Sequence, residues 1–283
     1  MASIIARGID VSEHQGVIDW ATVKDQIDFA ILRCGYGQNI TSQDDAYWER
    51  NKTACERYGI PYGVYLYSYA TSVTAAKSEA EHVLRLIKRC DLSYPVFYDM
   101  EDESQSGLGR SLLAQIAEAF LTTIEDAGYY VGVYANTNWF SNYLTASIFD
   151  NYDKWLAQYA SSVTYDGEYT IWQYSSSGSV NGISGRVDMN YCYKDYPSII
   201  NPPTPIVPPE PEPEPEPAPE YLDGHFNESV REYKEFQTNQ YSFTNHGLNP
   251  SAYAYMYKDD IDQAHMPVGH IFTNYSGGNN MFN

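Results

Sequence analysis

Eight short, apolar, β-prone runs punctuate the chain between Arg7 and Asn190, and their spacing limits what it can fold into. They are Arg7–Asp10, Phe29–Cys34, Pro61–Tyr69, Pro95–Glu101, Tyr130–Asn136, Lys154–Tyr159, Thr170–Tyr174 and Val187–Asn190. Helix-like segments fill the first gaps: Trp20–Gln26, Gln43–Tyr58, Val73–Lys88, Arg110–Ala127 and Thr137–Ala146. Strands alternating with helices predict an α/β fold with a parallel sheet. Eight of them predict a (β/α) barrel, its final helices reduced because the last three runs lie too close together for full helices. An open doubly wound sheet is the alternative. The first turn carries no G-x-G-x-x-G and no Walker sequence occurs, so a nucleotide site has no support.

The clearest boundary is Pro202–Glu220, PPTPIVPPEPEPEPEPAPE. Alternating Glu and Pro makes a self-repelling polyproline-type spacer of about 3.1 Å per residue, so this stretch spans roughly 60 Å. The predicted organisation is a barrel over 1–198, a linker over 199–220 and a small aromatic, polar module over 221–283. A module of that size is marginally stable alone.

The formal net charge of −20 excludes two classes of partner. Phosphate backbones and anionic lipid both require Lys and Arg stripes, and none is present, so neither nucleic acid nor membrane insertion is expected. Cys34, Cys55, Cys90 and Cys192 are widely spaced with no CxxC pair, which predicts free thiols rather than zinc ligands or disulfides. No run approaches the roughly 20 apolar residues of a membrane span. The opening MASIIARGID lacks the basic region of a secretory signal. The 28 tyrosines suit both packing and contacts to polar rings such as sugars.

The fourth run reads YPVFYDMEDES, a buried-looking strand that ends in acids. Side chains alternate along a strand, so Asp99 and Glu101 face the same way at its C-terminal end, the edge where β/α barrels carry their sites. The first run ends in GIDVS, bringing Asp10 to that rim, and the eighth, RVDMN, brings Asp188. Tyr67 and Tyr69, Tyr134 and Asn136, and Trp172, Gln173 and Tyr174 fall at the other strand ends. Taken singly, an Asp at a strand end is usually a turn or helix cap, and a D-x-E pair could hold a divalent cation. Together, clustered carboxyls raise one another's pKa, so one can stay protonated as a general acid while a neighbour stays ionised. Glycoside hydrolysis needs that division of labour.

The segments GIDVSEHQGVIDW, FAILRCGYG, GVYLYSY, YPVFYDMED, VGVYAN, LAQY and WQYSSSGSVNGISGRVDMN resemble glycoside hydrolase family 25, in order, over residues 4–196. The family comprises lysozymes of the N-acetylmuramidase type, found in phage endolysins and bacterial wall enzymes. The resemblance implies an irregular, β5α3-like barrel of eight strands with few helices. It implies cleavage of the β-1,4 bond from N-acetylmuramic acid to N-acetylglucosamine in bacterial peptidoglycan, with no cofactor and no metal. By motif, Glu101 takes the general-acid position, Asp99 is its D-x-E partner, and Asp10 and Asp188 match the remaining acidic positions. Tyr67, Tyr134, Gln158, Trp172 and Gln173 are expected to line the sugar groove. The resemblance places the protein at the cell wall, released by a phage pore or secreted with its signal removed. Residues 221–283 are expected to bind the wall, or to mediate self-association. A non-catalytic wall-binding homologue and a hydrolase of another N-acetylated glycan are the rival readings.

Overall fold

In the computed structural model the described residues are 3–202, together with two short strands at Glu235–Gln237 and Ser242–Thr244. Most of the linker and of the 221–283 module, and the functions expected of them, lie outside these residues.

Eight strands close into a barrel in chain order: β1 (Ala6–Val11), β2 (Phe29–Tyr36), β3 (Tyr62–Tyr67), β4 (Val96–Asp99), β5 (Val131–Asn136), β6 (Asp153–Ala157), β7 (Ile171–Gly178) and β8 (Val187–Cys192). Neighbours from β1 to β7 are parallel. The eighth strand departs from the expected parallel sheet, running antiparallel to both β7 and β1. Only Ser179–Arg186 separates β7 from β8. A parallel return needs a crossover of a dozen or more residues, so a connection this short sends the chain straight back.

The helices are α1 (Trp20–Val23), α2 (Trp48–Tyr58), α3 (Val73–Ile87), α4 (Glu103–Ser106), α5 (Arg110–Asp126), α6 (Thr137–Asn142) and α7 (Tyr196–Ile200). The long α3 starts where the Ser72 side chain accepts a hydrogen bond from Ala75 N. It buries Ala76, Ala80, Val83 and Ile87, one apolar stripe at helical spacing. On α5, Leu113, Ile116, Ala117, Phe120 and Ile124 do the same. α2 starts later than its sequence suggests. Asp45 instead accepts Tyr47 N at 2.9 Å and Glu13 N at 2.8 Å, holding a non-helical corner against the loop after β1. None of the described helices is long and apolar enough to cross a membrane. All four cysteines are free thiols.

A second core fills the barrel itself, built from Phe29, Ile31, Phe97, Tyr134, Trp155 and Ile171. Trp155 sits at its centre, with ring centroids 4.5 Å from Tyr134, 5.2 Å from Phe97 and 5.8 Å from Tyr65. Interior glycines make room for these rings: a Cβ on Gly8 would stand 2.6 Å from the Phe29 ring, and one on Gly132 would stand 2.6 Å from Phe97. The rings close the barrel and form the floor beneath its open end. Separately, β9 (Glu235–Gln237) and β10 (Ser242–Thr244) pair antiparallel, with Phe236 opposite Phe243.

Candidate active site

Strand register assembles the acids. Tyr67, Asp99 and Tyr134 are direct partners across β3, β4 and β5, so they form one row at the upper edge of the aromatic floor, to which Tyr134 belongs. Asp10 on β1 is paired with Asp188 on β8. Because β8 is reversed, Asp188 reaches the mouth from the start of its strand, not from its C-terminal end as the sequence reading had it. β4 ends at Asp99, and Glu101 lies just beyond it, followed by Asp102, which caps α4 by accepting Ser104 N.

Asp10 is 4% exposed, and its Oδ2 accepts from Gln173 Nε2 at 2.9 Å and Asn190 Nδ2 at 2.7 Å. Both donors are fixed in turn. Asn190 Oδ1 accepts Trp155 Nε1 at 2.7 Å, while Gln173 Oε1 accepts the hydroxyls of Tyr134 at 3.1 Å and Tyr159 at 2.9 Å. Glu101 Oε2 accepts Asn136 Nδ2 at 3.3 Å. The Tyr67 hydroxyl donates to Asp102 Oδ2 at 3.1 Å. Asp99 is buried, and its Oδ1 has no hydrogen-bond partner among the described residues. Such an orphan is costly unless a proton or a ligand fills it.

The described chain from Ile9 to Ile183 matches the family model "Glycosyl hydrolases family 25". The chain belongs to this family. It is 30% identical over 188 residues to the autolytic lysozyme of Clostridium acetobutylicum, covering 65% of this chain and 55% of that protein. Lysozyme M1 of Streptomyces globisporus is 27% identical over 201 residues, covering 65% of this chain and 66% of that one. The modular autolysin LytC from Streptococcus pneumoniae, solved with a synthetic peptidoglycan ligand, superposes with a TM-score of 0.60 at 33% identity. That match covers 66% of this chain and 46% of LytC, so the chain spans about half the length of these autolytic relatives.

Within this family 25 barrel, burial drives the electrostatics of the acids. It pushes the Asp10 carboxyl up to about 8, helped by the facing Asp188 and opposed by Asn190 and Gln173. Burial lifts Asp188 to about 6. Asp99 is raised well above the usual carboxylate range by burial, then by Glu101 and Asp10, with Arg33 pulling it back. Glu101 is raised by burial, opposed by the Asn136 hydrogen bond and reinforced by Asp188 and Asp102. Arg33 acts on Asp99 at a distance, but its Nε binds Asp45 and its Nη2 binds Glu13, both at 2.8 Å, so it neutralises none of the four acids by direct contact. No three His, Cys, Asp or Glu side chains among the described residues are arranged to hold a metal ion.

Of the residues expected to line a groove, Tyr67, Tyr134 and Gln173 come together with the acids. Trp172 does not. It lies between the inward-facing Ile171 and Gln173, so it points out of the barrel, where it packs against Tyr174 and Tyr191 and donates Nε1 to Gln158 O at 2.8 Å. The Gln158 side chain ties down its own loop through Thr164, at 2.7 Å and 3.0 Å. Asn190, Tyr159 and Arg33 were not singled out in the sequence. Strand alternation from Asp188 would have put Asn190 on the inner face.

Proposed function

We propose that the protein hydrolyses bacterial peptidoglycan at the cell wall, cutting the β-1,4 bond between N-acetylmuramic acid and N-acetylglucosamine. The observation that carries this reading is the pair at the end of β4: Glu101, whose pKa burial and like charge raise, beside Asp99 with its unpartnered buried oxygen. Family membership and the lysozymes and autolysin it resembles supply the substrate class.

Glu101 donates its proton to the glycosidic oxygen as the bond to the anomeric carbon breaks. Asp99, whose buried Oδ1 has no protein partner, is assigned to the N–H of the sugar's 2-acetamido group. That contact orients the acetamido carbonyl oxygen toward the anomeric carbon, where it acts as internal nucleophile in a substrate-assisted route. Glu101, now a carboxylate, takes a proton from the water that attacks the anomeric carbon, and the bond from that carbon to the acetamido oxygen breaks to restore the acetamido group. Asp10 raises the Asp99 carboxyl and Asp188 raises Glu101 by like charge, so the two flanking acids favour the protonated form of each. Tyr67, Tyr134 and Gln173 flank the row and contribute to sugar binding. Residues 221–283 serve as a wall anchor, raising the local concentration of the barrel on an insoluble polymer.

Digestion of purified peptidoglycan, borohydride reduction and mass spectrometry of the products tests this. Muramitol ends from the wild type and none from Glu101→Gln are expected. Glucosaminitol ends would reassign the bond, and no new ends from either protein would defeat the reading.

A further inference from the structure

Glu79 on α3 is fully buried and takes no part in the chemistry above. A buried carboxyl is expensive, and an apolar residue of similar volume would be cheaper in a helix–sheet interface. Glu79 is nevertheless saturated with donors. Its Oε1 accepts Tyr69 N at 2.9 Å, and its Oε2 accepts the Ser68 hydroxyl at 2.8 Å and the Tyr98 hydroxyl at 2.6 Å. Ser68 Oγ in turn accepts Gln105 Nε2 at 2.9 Å, and the same Nε2 donates to Ala70 O at 3.0 Å. Ser68 N donates to Asp99 O at 3.0 Å. Two neighbouring rim loops are therefore pinned to one carboxylate: the one after β3, and the one after β4 that carries Glu101.

The pinned segment presents aromatic surface. Tyr69 is 47% exposed although its backbone N–H is held from below by Glu79. Its ring lies 5.1 Å from that of Tyr67 and 6.3 Å from that of Tyr36, making a row that leads from open surface to Asp102 and the acids. Tyrosines in a row, with Tyr69 exposed and Tyr67 and Tyr36 half-buried, suit the faces of successive sugar rings.

We infer that Glu79 is a positioning residue for glycan binding: it fixes the Ser68–Ala70 segment so that Tyr69 extends the Tyr67 platform along the polymer. This rests on the function proposed above. The stretch Tyr67–Tyr69 has no helix or strand beyond Tyr67 to shape it, so the carboxylate substitutes for secondary structure at the rim. Losing it loosens the platform without touching the reacting atoms.

The test is a double-mutant cycle on soluble peptidoglycan fragments, using the full chain. Glu79→Gln is expected to raise KM about ten-fold with kcat within about two-fold of wild type. Tyr69→Ala should raise KM comparably, and the double variant should sit within about two-fold of either single one, because both act through one element. An unchanged KM in Glu79→Gln, a fall confined to kcat, or multiplicative KM effects would overturn the inference. Should Glu79→Gln fail to fold, Tyr98→Phe removes one donor and leaves the carboxylate. Its KM rise must vanish in the Tyr69→Ala background, and a rise that persists there, or none at all, counts against the inference. A wild type that cuts no peptidoglycan defeats the functional reading, and with it this one. A wild type that cuts normally beside a Glu79→Gln that binds normally defeats only the latter.

Discussion

Asp10 and Asp188 face each other across the antiparallel β1–β8 pair, two carboxyls in direct register on adjacent strands. Like charges in that position repel, and here one partner is also deeply buried. Burial and this facing charge raise Asp10, and burial raises Asp188, so the pair as a whole gives up its protons at higher pH than exposed carboxyls do.

The linkage sign follows. A carboxyl whose folded pKa exceeds its unfolded value stabilises the fold below the unfolded pKa, and that contribution is lost as pH rises through the folded pKa. For Asp10 the window runs from its ordinary 3.8 to about 8. Asp10→Asn keeps an acceptor for Gln173 and Asn190 but removes the charge. Its melting temperature is expected to exceed that of wild type by about 5 °C at pH 8, and by less at pH 5. Calorimetry at the two pH values checks this, and a variant less stable than wild type at pH 8 would refute it.

Asn136 tunes Glu101. Its Nδ2 donates to the Glu101 carboxyl, and its Oδ1 caps α6 by accepting Trp139 N at 3.2 Å. Asn136→Asp preserves the cap but exchanges the donor for a negative charge, and both changes raise the Glu101 pKa. The alkaline limb of the kcat profile should move up by about one pH unit or more. A limb that stays put or moves down would separate Glu101 from the acid role.

Asn190 joins the floor to the acids, accepting from Trp155 and donating to Asp10. Asn190→Leu keeps the branching of the side chain but leaves the buried indole N–H unpaired and takes a donor from Asp10. The expected loss is about 3 kcal/mol in a denaturant melt. A loss below about 1 kcal/mol would mean that water restores the bonds.

Gly132 is a packing residue. A methyl group there meets the Phe97 ring at 2.6 Å and Asp153 O at 2.8 Å. Gly132→Ala is expected to cost about 1–3 kcal/mol through displaced rings, visible as a lower melting temperature.

The sequence carried the eight strands and the long helices because apolar periodicity reports burial directly. It did not carry the direction of β8, since an apolar run reads the same whichever way the strand points. Only the shortness of Ser179–Arg186 encodes the reversal. The acids were legible as strand ends. The groove residues were less so: Trp172 and Gln173 are adjacent in one strand, so they cannot both face the interior, and Gln173 is the one bonded to Asp10. Asn190 and Arg33 went unassigned because a polar residue within a strand looks the same whether it is solvated or completes a buried network.

The closing pair β1–β8 joins Ala6 to Cys192 and Asp10 to Asp188, residues separated by nearly the whole barrel sequence. Contacts this remote form late, after the intervening loop has been ordered. A growing chain on the ribosome therefore has Asp10, Asp99 and Glu101 long before it has Asp188 or Asn190. Its ring of acids stays incomplete until the last strand emerges and reverses into place, so assembly of the rim reports completion of the barrel.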